Sequence, residues 1–178
     1  HIEPALAVAR AWKLAHPDDV MVFVGTKAGL ENKLVPSAGF TLAHIPKVQI
    51  SRRPSLSWFR IPFDLIHAVA TSRRLLKDAQ LLIGFGGYVS APAYLAARIV
   101  KTPILIHEAN ARPGWANRLG AKLTPYLAVA NHVDKGEFSK ALITGLPLRS
   151  DVSEAFVASR LDFPGARLAA KRRLGFNE

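Results

Sequence analysis

The chain has 178 residues, of which 49% are hydrophobic and 21% charged. That is the size of one domain with enough apolar side chains to bury a core, which excludes disordered, collagen-like and coiled-coil classes. It contains no cysteine, so a disulfide scaffold, a thiolate zinc site and a cysteine nucleophile are excluded. Lys and Arg number 24 against 13 Asp and Glu, a net +11 that favours an anionic partner: nucleic acid, anionic lipid or a phosphorylated substrate. No run of about 18 apolar residues is present, so no transmembrane segment is expected, and no signal peptide is visible. The chain opens His1-Ile2-Glu3-Pro4 without Met, which suggests a fragment.

In chain order, residues 2–16 predict a helix, with Pro4 in its first turn and abundant Ala. Val20-Met21-Val22-Phe23-Val24, closed by Gly25, predicts a buried parallel strand. A short helix over 29–37 and a strand from Phe40 to Val48 follow. Residues 49–57 read as a loop, and a long helix runs from Pro62 to Asp78. Leu81-Leu82-Ile83 is a strand, residues 90–100 an Ala-rich helix, Pro103 to His107 a strand, and Pro113 to Lys122 a helix. Tyr126–Ala130 and Ala141–Thr144 are the last strands. Strictly alternating strands and helices with short connections predict an open, mostly parallel α/β sheet of Rossmann-like type with helices on both faces. The polar, basic tail from Asp151 predicts a linker with one helix near 165–174.

Such sheets bind ligands at the carboxyl ends of their strands. Gly84-Phe85-Gly86-Gly87-Tyr88-Val89-Ser90 joins a strand to a helix, where glycines let backbone N–H groups approach a phosphate and the helix dipole adds positive charge. It is no GxGxxG fingerprint, because Val89 holds the last glycine position. A plain tight turn without a ligand is the equally open alternative. His107-Glu108-Ala109-Asn110 follows another strand. Its Glu and Asn can orient sugar hydroxyls or simply cap the next turn. Thr144-Gly145-Leu146-Pro147-Leu148-Arg149 ends a strand and carries an Arg at its close, or is a domain-boundary turn with a solvated Arg. The six histidines form no HxH or HxxxH pair, so no metal cluster is expected.

Between Lys47 and Lys77, seven basic residues (Lys47, Arg52, Arg53, Arg60, Arg73, Arg74, Lys77) face Asp64 alone, interleaved with Leu56, Trp58, Phe59, Ile61 and Phe63. Aromatic and aliphatic side chains beside arginines suit an interface with anionic lipid. The alternative divides the segment into core-capping apolar residues and solvated arginines. Nucleic-acid binding is not expected, since no helix-turn-helix, finger or strand-borne stacking aromatics are present.

Four stretches in order, His1-Ile2-Glu3-Pro4-Ala5-Leu6-Ala7, Gly84–Ser90, His107–Asn110 with Pro113-Gly114 and Ala116-Asn117-Arg118, and Thr144-Gly145 with Pro147 and Arg149, resemble the MurG family over residues 1–150. These are the UDP-N-acetylglucosamine:N-acetylmuramyl-(pentapeptide) pyrophosphoryl-undecaprenol N-acetylglucosamine transferases. Ala109 stands where the family commonly has Gln, and Leu146 where it has Asn.

The resemblance implies the N-terminal domain of a two-domain GT-B glycosyltransferase. Residues 1–150 would be the acceptor-binding domain, lacking its first strand and Gly-rich loop, and 151–178 the start of an interdomain linker. A donor-binding domain would follow. It implies inverting transfer of N-acetylglucosamine from UDP-N-acetylglucosamine to the 4-hydroxyl of a polyprenyl-diphosphate-linked muramyl-pentapeptide, without a cofactor or metal. His1 would be the base. Gly86, Gly87, Tyr88 and Asn110 would bind the acceptor, and Arg149 would lie on the donor side. Arg52, Arg53, Leu56, Trp58, Phe59, Arg60, Ile61, Phe63, Arg73 and Arg74 would meet an anionic membrane, placing the enzyme peripherally on the cytoplasmic face of the bacterial plasma membrane. Two other classes are a diacylglycerol-type lipid glycosyltransferase and a membrane-docking subunit of a split glycosyltransferase.

Overall fold

The structure is a computed structural model that describes residues 2–48 and 59–176. Helix α1 (Ile2–Ala15) buries Leu6 and Ala9, three residues apart and so on one helical face. Strand β1 (Val22–Gly25) pairs in parallel with β2 (Thr41–His44), Val22 opposite Thr41 and Gly25 opposite His44. Helix α2 (Glu31–Ser37) connects them.

Helix α3 (Ile61–Leu76) buries Ala68, Ser72 and Leu76, a stripe at four-residue spacing, and packs on α4 (Ser90–Val100). Four parallel strands then lie in the order β3 (Leu82–Gly84), β4 (Ile104–Glu108), β5 (Leu127–Val129) and β6 (Leu142–Ile143). Helix α4 crosses from β3 to β4, and α5 (Trp115–Ala121) from β4 to β5. The core between them holds Leu76, Tyr94, Ile104, Ile106, Val129 and Phe138. Tyr94 sits so close to the sheet that a Cβ on Gly84 would collide with its ring and hydroxyl, and one on Gly120 with Tyr94 and Ile106. Among the described residues, no helix is long and apolar enough to cross a membrane.

Three expectations change. Among the described residues the strands divide into two parallel sheets, and β1 and β3 are each paired along one edge. The strand expected at 20–24 begins at Val22 and is not deeply buried: Val20 is 90% and Val22 50% exposed. Its partner β2 starts only at Thr41, after the chain turns at Gly39 with φ 81°. Beyond His44 the β2 strand loses its ladder because β1 ends at Gly25, although Ile45 still donates its N–H to the Gly25 carbonyl.

The tail is also more ordered than a linker with one helix. It forms α6 (Ser150–Leu161) and α7 (Phe163–Arg173), which pack on each other and bury no residue. Asp162 caps α7, its carboxylate accepting from the Gly165 N–H.

Candidate active-site cleft

At the carboxyl ends of β3 and β4, a cleft of about 210 Å³ is lined by Gly86, Gly87, Tyr88, Glu108, Asn110 and the start of α5. Two of the turns predicted from sequence therefore meet here. Parallel strand pairing sets this meeting: Gly84 lies opposite Ile106, so the chain leaves β3 and β4 on the same edge of the sheet.

The β3–α4 turn needs its glycines. Gly86 and Gly87 adopt φ 88° and 91°, a left-handed conformation that side chains disfavour. The turn is closed by Ser90, whose hydroxyl donates to the Gly86 carbonyl at 2.6 Å and whose N–H donates to the Gly87 carbonyl. Tyr88 projects at its tip, 54% exposed.

Glu108 ends β4 and is 1% exposed. Its Oε1 accepts from the Asn110 N–H at 2.9 Å and from Asn110 Nδ2 at 2.8 Å. Its Oε2 accepts from the Gly114 N–H at 2.9 Å and from Asn117 Nδ2 at 3.0 Å. Asn117 in turn accepts at Oδ1 from the Tyr94 hydroxyl, 2.8 Å away. Burial pushes the Tyr94 phenol well above its ordinary pKa, so it remains a donor. No Lys or Arg pairs with Glu108 among the described residues. Four N–H donors hold its carboxylate instead. Glu108 therefore caps the turn into α5, while Asn110 is exposed on the cleft.

Trp115, 45% exposed, also lines the cleft and was not singled out by the sequence patterns. Nor was Tyr94, and Asn117 was named only within the Ala116-Asn117-Arg118 stretch, with no role given. The Pro-Gly-Trp-Ala-Asn spacing carries a signal, since it puts Trp115 and Asn117 in the first turn of a helix that opens on β4.

The other predicted residues lie elsewhere. Arg149 is exposed and pairs with Asp151 at 3.2 Å. Phe59 and Phe63 are 78% and 74% exposed, as a surface contact requires. Arg60, Arg73 and Arg74 are exposed as well, whereas Ile61 is half-buried and only partly available. Ile66, which the sequence patterns did not single out, is 67% exposed and extends the Phe59–Phe63 stripe. His1, Arg52, Arg53, Leu56 and Trp58 lie outside the described residues. A larger hollow of about 640 Å³ lies at the amino ends of β1 and β2, lined by Arg10, Lys13, Val20, Phe40 and Ser150 among others. None of the predicted site residues among the described residues lines it.

Residues 1–126 match the glycosyltransferase family 28 N-terminal domain. The Frankia casuarinae UDP-N-acetylglucosamine--N-acetylmuramyl-(pentapeptide) pyrophosphoryl-undecaprenol N-acetylglucosamine transferase is 44% identical over 99% of this chain and 46% of that protein. The enzyme of the same name from Corynebacterium jeikeium is 47% identical over 85% of this chain and 41% of its own length. The chain thus spans less than half the length of these relatives. Acinetobacter baumannii MurG superposes with a TM-score of 0.67 at 28% identity, over 86% of this chain and 43% of that one. The Neisseria meningitidis UDP-GlcNAc 2-epimerase bound to UDP-GlcNAc shares the fold, with a TM-score of 0.55 at 13% identity.

Proposed function

The chain belongs to the glycosyltransferase family 28, as its N-terminal domain, and on that premise we propose that it is the acceptor-binding half of a transferase acting in peptidoglycan synthesis. The observation that carries this reading is the meeting of Gly86, Gly87, Tyr88 and Asn110 in one cleft. In the reaction proposed, the acceptor's 4-hydroxyl oxygen forms a bond to C1 of N-acetylglucosamine. The bond from C1 to the diphosphate oxygen breaks, UDP leaves, and the hydroxyl proton passes to a base. His1 is the base proposed from the resemblance, since imidazole accepts a proton near neutrality. The Gly86–Gly87 turn would face the acceptor's diphosphate, near the N-terminus of α4.

UDP-N-acetylglucosamine would be held by a further domain, with Arg149 on the side of that junction. The unpaired edges of β1 and β3 suit one more parallel strand preceding α1. The exposed stripe Phe59, Phe63 and Ile66, with Arg60, Arg73 and Arg74, would rest on an anionic membrane, where the polyprenyl tail of the acceptor resides.

The test is transfer of labelled N-acetylglucosamine by the full-length protein. Tyr88→Ala should raise KM for the lipid acceptor while leaving KM for UDP-N-acetylglucosamine unchanged. A shift in the donor KM alone would assign the cleft to the wrong substrate.

A further inference from the structure

The hydrogen bonds of Glu108 fix which end of the Asn110 amide is offered to a ligand. A carboxylate can only accept, so the atom of Asn110 that sits 2.8 Å from Glu108 Oε1 must be the Nδ2 donor. The backbone N–H of Asn110 binds the same oxygen at 2.9 Å, so the side chain is clamped at two points. The amide is planar, and its carbonyl oxygen therefore points away from Glu108. Asn110 is exposed and lines the cleft. Its Oδ1 is thus the polar atom left to a ligand.

Glu108 itself cannot do that work, being 1% exposed and saturated by four donors. We infer that Glu108 is a positioning residue that sets the polarity of Asn110, so that the cleft presents a hydrogen-bond acceptor and selects an O–H or N–H donor on the acceptor sugar. This rests on the acceptor-cleft reading above. The other half of the carboxylate is fixed by Gly114 and by Asn117, which Tyr94 holds in turn. Of the two asparagines on Glu108, Asn110 is therefore the one free to turn over.

The consequence is a polarity rule with a reciprocal test. In Glu108→Gln, the new amide N–H₂ would meet the Asn110 N–H₂, and Asn110 must turn its donor to the cleft. In Asn110→Asp, two carboxylates would face each other. In the pair Glu108→Gln with Asn110→Asp, the Gln N–H₂ donates to the Asp carboxylate and an acceptor oxygen again faces the cleft, although the backbone N–H of residue 110 loses its partner.

The experiment measures steady-state kinetics of the full-length transferase with a short-chain lipid acceptor. Each single change should lower kcat/KM for the acceptor by about tenfold or more, with the donor KM unchanged, and the pair should recover part of the loss. A merely structural role for Glu108 would give no such recovery. Binding of a 4-deoxy acceptor and of an N-methylated acetamide analogue should show one of them indifferent to Asn110→Leu, naming the donor group lost. Glu108→Gln with unchanged acceptor kinetics, or a pair no better than its singles while their Tm values match the wild type, would overturn the inference. If Glu108→Gln fails to fold, Asn110→Leu decides, because it leaves Glu108 intact. Wild-type acceptor kinetics for that variant also overturn it. Acceptor kinetics unmoved by both Asn110→Leu and Tyr88→Ala would instead remove the acceptor-cleft reading itself.

Discussion

His107 Nε2 lies 2.9 Å from the carbonyl oxygen of Gly145, tying the end of β4 to the segment that follows β6. A carbonyl only accepts, so Nε2 carries a proton. Nδ1 is buried without a partner among the described residues, and the ring packs beside Phe85 at 5.8 Å. Side chains alternate along a strand, so Glu108 and its neighbour His107 face opposite sides of the sheet. One holds the cleft and the other holds the route toward Arg149.

His107→Ala should therefore destabilise the fold by about 2 kcal/mol, combining a lost hydrogen bond of about 1 kcal/mol with a vacated ring site. His107→Gln can deliver an amide N–H near the position of Nε2 and should lose less. Urea unfolding of the two variants checks the order. An Ala variant as stable as the Gln variant would mean that the bond to Gly145 contributes nothing.

Tyr94→Phe removes the hydroxyl that donates to the buried Asn117 Oδ1. The cost should be about 1–3 kcal/mol at neutral pH, the penalty of a buried acceptor left without a donor. The pH dependence follows from the raised Tyr94 pKa, whose main cause is burial. Below about pH 10 both folded and unfolded chains keep this proton, so the contribution is complete. Above it the unfolded chain ionises first, binds fewer protons, and stability falls as pH rises. The wild-type advantage over Tyr94→Phe should thus shrink between about pH 10 and 11.5. An advantage constant across that range would show that Tyr94 ionises as freely folded as unfolded.

The sequence patterns point to Gly86, Gly87, Tyr88 and Asn110, which line one cleft, but not to the way Glu108 is held beneath it. Helix α4 is legible because residues 90–100 are Ala-rich and lie between two apolar strands, and its observed bounds are the expected ones. The turns at Gly86–Gly87 and Asn110 are legible because Gly and Asn at strand ends have few other uses. Glu108 is not. Its position at a strand end says nothing of whether the side chain turns inward, which depends on the pairing of β4 between β3 and β5. The division into two sheets is hidden for the same reason, since element order does not specify which edges meet. Helix α6 escapes because it has no apolar stripe to bury, so the usual periodic signal is missing.

Glu31 anchors the loop after β1, accepting from the Thr26 N–H at 2.8 Å and the Thr26 hydroxyl at 3.2 Å. Partial burial works to raise its pKa, but these hydrogen bonds and nearby His44 outweigh it, and the net shift is downward from 4.5. A lowered carboxylate stabilises above its ordinary pKa, and the gain is lost as pH falls through the folded value. Glu31→Gln should lower Tm by roughly 1–3 °C at pH 7, with the gap closing below about pH 4. The carboxylate is part-buried and its hydrogen bonds are to Thr26, so a large effect is not expected. A gap that persists unchanged at pH 3 would assign the effect to packing against Gly25 and Gly29.

The exposed stripe of α3 makes the last prediction. Phe59, Phe63 and Ile66 are 78%, 74% and 67% exposed; Phe63 and Ile66, three residues apart, share one side of α3, and Phe59 lies in the turn just before it. The same helix buries Ala68, Ser72 and Leu76 against α4, so its outer apolar residues are not needed by the core. Arg60, Arg73, Arg74 and Lys77 accompany them, with Asp64 the one acidic residue of the helix. Each basic residue near an anionic surface contributes about 1 kcal/mol, and each inserted Phe up to about 2–3 kcal/mol. Phe59→Ser with Phe63→Ser should therefore weaken binding to phosphatidylglycerol vesicles by about tenfold or more, with Tm unchanged because neither side chain is buried. Arg73→Gln with Arg74→Gln should weaken it at low salt and lose its effect at about 0.5 M salt, where screening shortens the reach of charge. Cosedimentation with phosphatidylglycerol and phosphatidylcholine vesicles separates the two contributions. Equal binding of the Phe variant and the wild type to phosphatidylglycerol would remove the apolar contact, and equal binding of the wild type to both lipids would remove the electrostatic one.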